Sequence, residues 1–286
     1  MRSAPGFPDV SPNCADTDES ATHLREEPAR FFSTITSLNN FDNLEVRNVI
    51  RGVIDPTQRE VCFIGNYYRA FANIESILAL NHVKHVQAVA ASARGLFEIA
   101  VDVALIDRIA QGPEKMIAFV DVEKLRSAQT IIDFKTSNPD AKVDTSIFEQ
   151  FIAVESCRIL ALRDSLWPKG HHVQHWSLMK MAKRVKQLGT PFDELYAVEY
   201  PRLSWYVHSG LTGVTNLKQE SFELMAGIAF TIAVGSYMKI LTAVIREFQL
   251  DKADPKILDR MDYAKMAPWT DSEQQAGELW QELGLD

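Results

Sequence analysis

The sequence predicts an all-α fold, a multi-helix bundle of long helices with flanking tails. Three observations carry this. Apolar residues recur at the three- and four-residue spacing of an amphipathic helix over most of the chain. Glycine and proline are sparse, 13 and 12 of 286 residues, which disfavours a turn-rich sandwich or barrel. No alternating stretch of strand length, no repeat and no low-complexity tract occurs.

The helices read in order. Val61, Ile64, Tyr68, Phe71, Ile74, Ile77 and Leu78 share one face of a helix from Pro56 to about Asn81, with Pro56 suited to its first turn. A second runs from about Lys84 to Gln111, stopped by Gly112. A third begins at Pro113 and ends near Thr136, before Asn138-Pro139. A fourth covers about Thr145 to Leu166. A fifth covers about Gln174 to Leu188, closed by Gly189 and Pro191. A short helix begins at Pro201. The longest starts near Asn216, where Asn216 and Gln219 resemble a capping box, and reaches about Leu250. Within it Leu224 to Val234 is uncharged. Gly235, Ser236 and Lys239 interrupt the apolar run before the roughly 20 residues a span requires, so a buried central helix is expected, not a membrane segment.

Length alone suggests one to two domains. Composition divides the chain further: residues 1–30 form an acidic segment expected to be disordered, 31–262 the bundle, and 263–286 an acidic tail with a short amphipathic helix carrying Trp269, Leu279, Trp280 and Leu283. The net charge is −8. The first 30 residues sum to −3 and the last 24 to −4, so the bundle is close to neutral. Within it residues 158–186 carry seven Lys and Arg against Asp164 alone. Such a stripe reads as a solvated helix face or as a polyanion contact. Cys14, Cys62 and Cys157 are three, far apart and without a CxxC pair, which excludes a disulfide framework and a cysteine-built zinc site. A reducing cytoplasm is the expected location.

Two segments carry the residues able to do chemistry. Arg94, Glu98 and Asp102 recur every fourth residue and line one face of a very apolar helix. Their burial requires pairing, and Arg94 with Glu98 offers a pair. The stripe reads either as an ion-pair network that fixes the bundle or as the wall of a polar pocket between helices. In Tyr200-Pro201-Arg202-Leu203-Ser204-Trp205-Tyr206-Val207-His208, Ser204 and His208 are helical neighbours, and Arg202 precedes His208 by six residues. Ser204 and His208, oriented by Glu98 or Asp102, have the residue types of a hydrolase triad, but no Gly-x-Ser-x-Gly elbow is present. His171 and His175 would be a helical pair able to bind a metal, with no acidic residue to complete a motif. No glycine-rich nucleotide loop occurs. No cofactor and no metal are expected.

Arg202-x5-His208 near the start of a late helix resembles the R-x4–6-H signature of HEPN domains, small helical bundles that include metal-independent RNases of toxin–antitoxin and phage-defence systems. Three blocks also resemble an uncharacterised bacterial all-helical family: Ala93-Arg94-Gly95-Leu96-Phe97-Glu98, His175-Trp176-Ser177, and Tyr200 with Leu203-Ser204 and Val207-His208. The HEPN resemblance implies a homodimer in which Arg202, His208 and Ser204 form the catalytic group. Arg94, Glu98, Asp102, His175, Trp176 and Tyr200 would support them. Lys169, Lys180, Lys183, Arg184 and Lys186 would hold the RNA backbone. An antitoxin or other partner protein follows from the same resemblance. One position departs from the pattern: Leu203 follows Arg202 where active members usually carry a polar residue. The alternative is a non-catalytic interaction or ligand-binding module in which the Arg, Glu and His side chains only fix the bundle.

Overall fold

The computed structural model describes residues 18–80, 85–207 and 219–269. Among them every regular element is helical and no strand occurs. In chain order the α-helices are α1 (Asp18–Phe41), α2 (Arg47–Arg51), α3 (Gln58–Ala79), α4 (Val86–Leu105), α5 (Gly112–Ser137), α6 (Ser146–Leu166), α7 (Met181–Leu188), α8 (Phe192–Val198), α9 (Tyr200–Val207), α10 (Gln219–Glu247), α11 (Leu250–Ala253) and α12 (Ile257–Met266). A π-helical turn, Asp42–Val46, joins α1 to α2, and a 3₁₀ turn, Ala267–Trp269, follows α12.

The core is built on α4 and α10, which share the most extensive helix contact. Leu96, Phe97, Ile99 and Val101 of α4 are buried with Phe230, Ala233, Tyr237 and Leu241 of α10. α10 is apolar on nearly all sides because α4, α3 and α1 cover it. Its stretch Glu223–Glu247 is long and apolar enough to cross a membrane by length and composition, with mean hydropathy 1.8, and 61% of it is buried inside the bundle. α3 starts on a capping box, one residue after Pro56: the Thr57 hydroxyl accepts from Glu60 N–H at 3.2 Å, and Glu60 accepts from Thr57 N–H at 2.7 Å. Gly95 lets α3 and α4 approach closely, since a Cβ there would lie 3.0 Å from Asn73 Oδ1.

The α5–α6 hairpin differs in kind. Its helices pack chiefly on each other, and only Gly112, Ala118, Ala128 and Ile159 are buried along them. Ala118 joins Trp167 and Val173 in a small second core.

Several expected boundaries shift. The second expected helix ends at Leu105, not Gln111, because a turn intervenes in which Gln111 has φ +56°. Gly112 is required there, as a Cβ would overlap the Ile106 carbonyl oxygen. The fifth expected helix is only α7: residues 174–180 form a turn with Leu178 at φ +56°, so the His175-Trp176-Ser177 block is not helical. α8 was not expected. α1 begins at Asp18, inside the segment expected to be disordered. At the other end the bundle continues past residue 262. Tyr263 and Ala264 are buried, and Trp269 sets its ring edge-on to Phe31 at 5.2 Å and donates to Thr34 Oγ1 at 2.9 Å. The Asn216 cap and the Leu279–Leu283 stretch lie outside the described residues.

Candidate functional site

The stripe on α4 resolves into two polar clusters. At its N-terminal end Arg94 Nε donates to Glu98 Oε1 at 2.9 Å, the pair expected from their spacing. Tyr200 of α9 completes it. The Tyr200 hydroxyl donates to Glu98 Oε1 at 2.6 Å and accepts from Arg94 Nε at 3.0 Å, and the guanidinium lies 5.0 Å from the Tyr200 ring. Burial, helped by the Glu98 carboxylate, holds the Tyr200 hydroxyl well above its usual pKa. It therefore remains a donor.

One turn further along α4, Asp102 is buried and accepts from Arg184 of α7 at 2.6 Å. His175 Nε2 lies 3.3 Å from the same carboxylate oxygen and 2.9 Å from Arg184 Nη1. Its Nδ1 faces Ser177, 2.8 Å from the hydroxyl and 3.2 Å from the backbone N–H. Carboxylate, imidazole and hydroxyl thus form one connected chain. The loop that carries His175 is pinned by its neighbour: Trp176 is buried and its carbonyl accepts from Trp167 Nε1 at 2.9 Å.

Both clusters open onto a cleft of about 380 Å³ between α3, α4 and α5, lined by Glu98, Asp102, His175, Trp176 and Arg184 together with Asn66 and Arg69 of α3. Cys62, also in its wall, is a free thiol pushed up to about 11 by burial. Among the described residues Arg184 Nε and Trp176 Nε1 are buried with no hydrogen-bond partner. A buried donor left unmatched is costly, and both belong to residues that line this cleft. The site can hold a small polar or anionic group, and it holds His175 in a fixed orientation.

The expected catalytic group stands elsewhere. Arg202 lies on the solvent side of α9, its side chain 44% exposed, 3.4 Å from Glu199. Ser204 Oγ donates to the Tyr200 carbonyl at 3.1 Å, a helical back-bond. His208 lies outside the described residues. Leu203, where the HEPN resemblance implies a polar residue, is fully buried in the main core; its apolar character serves the contact of α9 with α4. Of the expected supporting residues, Arg94, Glu98 and Tyr200 come together, as do Asp102, His175 and Trp176.

The basic stripe needs correction. Arg184 is not a surface contact for RNA: it is 7% exposed and committed to Asp102. The hydrophobic pattern of α7 explains this, because Arg184 shares its inward side with Val185 and Leu188. Arg158 pairs with Glu155 and Asp121, and Arg163 with Asp164. Lys169, Lys180, Lys183 and Lys186 remain exposed. His171 and His172 are exposed, and residues 171–175 are not helical, so His171 and His175 are not the helical neighbours their spacing allowed. Among the described residues no three His, Cys, Asp or Glu converge as a metal site. Beyond the Arg94–Glu98 pair, the contacts that join α4 to α7 and α9 in these clusters were not legible in the sequence.

Residues 60–223 match a family of unknown function, DUF5677, and the chain belongs to that family. No curated protein and no solved structure matches it.

Proposed function

We propose that this chain is a HEPN-like protein that binds RNA and cleaves it without a metal ion, as a homodimer. The observation that carries the reading is the placement of Arg202. Tyr200 and Leu203 turn inward toward α4, while the Arg202 guanidinium faces solvent with Glu199 as a weak, exposed partner. An outward cation six residues before His208 suits a site completed from outside the bundle, by a second copy and a substrate. In this reading His208 removes the proton from a ribose 2′-hydroxyl, which attacks the adjacent phosphorus and expels the 5′-oxygen. Arg202 neutralises charge that develops on the phosphorane. Lys169, Lys180, Lys183 and Lys186 hold the backbone. α7, which carries Lys183 and Lys186, packs on α4 as α9 does, and both contact α8.

A second reading is favoured by the cleft. His175 between Asp102 and Arg184, with two buried donors unmatched, supports a non-catalytic module that binds a small polar ligand.

One experiment separates them. The full chain and its Arg202→Ala, His208→Ala and His175→Ala variants, each shown folded by circular dichroism, are incubated with total RNA and with tRNA, with and without EDTA. The RNase reading expects EDTA-insensitive cleavage that falls by about 100-fold or more in His208→Ala and persists in His175→Ala. Absence of cleavage by the parent, or cleavage untouched by His208→Ala, overturns it and leaves the cleft reading.

A further inference from the structure

A larger groove, whose wall includes Phe192 of α8, is independent of the RNA reading. It encloses about 760 Å³ between α10, α4, α1 and the 3₁₀ turn. Small side chains, Ala100, Ala104, Gly235 and Ala243, make its depth, and Phe31 and Trp269 stand in its wall. Its volume falls within the range of ligand pockets.

Its polar content is one-sided. Among the described residues Lys239, Arg246 and Lys265 line it and no carboxylate does. Its three threonines are already engaged: Thr34 with the Arg30 carbonyl and Trp269, Thr231 with the Gly227 carbonyl, and Thr242 with the Met238 carbonyl. Among the described residues none of the three cations forms a salt bridge, and Lys239 meets only the Phe192 ring. Lys239 is the most telling. It sits half-buried on the central helix, its ammonium 5.7 Å from the Phe192 ring. Burial, with Lys265 nearby, holds its pKa below the usual lysine value. A partly desolvated ammonium with no counter-charge among the described residues favours an anion. The long apolar floor favours a hydrocarbon chain.

We propose that this groove binds a fatty carboxylate, its alkyl chain along the small residues of α4 and α10 and its head group on Lys239, with Arg246 and Lys265 at the rim.

The test is calorimetric titration of the full chain with dodecanoate below its micellar concentration. Saturable one-to-one uptake is expected, with each methylene removed from the probe weakening binding about 4-fold. Lys239→Gln should weaken it about 10-fold or more. Gly235→Leu adds bulk to the groove from a position where a Cβ meets nothing within 4 Å, and should abolish uptake while thermal stability is retained. Dodecyltrimethylammonium should not bind. No saturable uptake, equal binding of the cationic amphiphile, or dodecanoate affinity unchanged in both variants overturns the proposal. So does a dimer of the parent chain that Gly235→Leu dissociates, which would assign the groove to a second copy.

Discussion

Two buried carboxylates invite comparison. Asp42, in the π-helical turn, is wholly enclosed. It accepts from the Tyr67 hydroxyl at 2.8 Å, the Tyr237 hydroxyl at 2.9 Å and Arg47 Nη2 at 3.1 Å, and the Arg47 guanidinium lies 3.6 Å from the Phe71 ring. Its partners come from α2, α3 and α10, and it lies at the end of α1. Asp102 is almost as buried, but its partners Arg184 and His175 border an open cleft where Arg184 Nε and Trp176 Nε1 have no partner among the described residues. The sealed network joins the end of α1 to α2, α3 and α10, and Arg47 Nε in it is also buried without a partner among the described residues. The open one borders the cleft. Burial and an unmatched donor are common to both carboxylates; the adjoining cleft is what distinguishes Asp102.

The largest expected effect is on the sealed side. Asp42→Ala leaves Arg47 without its carboxylate and two tyrosine hydroxyls without an acceptor, and should lower the unfolding free energy by about 3–5 kcal/mol, measured by urea denaturation. A loss below about 1 kcal/mol would mean that the network does not hold the helices together.

The same residue gives a pH signature. Burial, only partly offset by the tyrosine and arginine hydrogen bonds, raises the Asp42 pKa above its ordinary value of 3.8. Its contribution is fully present below that value. As pH rises from there toward the raised folded value, the unfolded chain sheds its proton first and stability falls. Stability of the parent minus that of Asp42→Asn should therefore decline with rising pH across this window. A difference flat with pH would show that Asp42 is not perturbed.

On the open side Arg184→Ala should cost about 2–3 kcal/mol, less than the loss at Asp42, since it removes a charged hydrogen bond at a site bordered by a cleft. Tyr200→Phe removes one hydroxyl shared by Arg94 and Glu98 and should cost about 1 kcal/mol, read from thermal unfolding. The smallest change belongs to Arg202→Ala. Its exposed pair with Glu199 contributes little, so stability should stay within about 0.5 kcal/mol of the parent while RNA cleavage is lost. A large destabilisation would place Arg202 in the architecture and remove it from the site.

The α5–α6 hairpin extends the contrast. Phe134, Ile147 and Val154 are exposed along it, and its helices carry a weaker apolar stripe than α3. Amphipathic spacing announces a helix; whether its apolar face finds a partner depends on what else packs there.

Local order and local pairs followed from the sequence by itself. Most helices were legible, because periodicity and punctuation act within a few residues. So was the Arg94–Glu98 pair, because helix geometry fixes the distance between residues four apart. Tertiary structure decided the rest. Asp102 and Arg184 are 82 residues apart, and only the packing of α7 on α4 makes Arg184 an ion-pair partner instead of a surface cation. Asp42 gave no signal, since its acceptors' worth depends on Tyr67 and Tyr237 arriving from two other helices. His175 left the helix expected for it because its turn seats Trp176 in the core, and burial of that ring outweighs local helical preference. Helical spacing fixes which residues share a face, and packing fixes what that face meets.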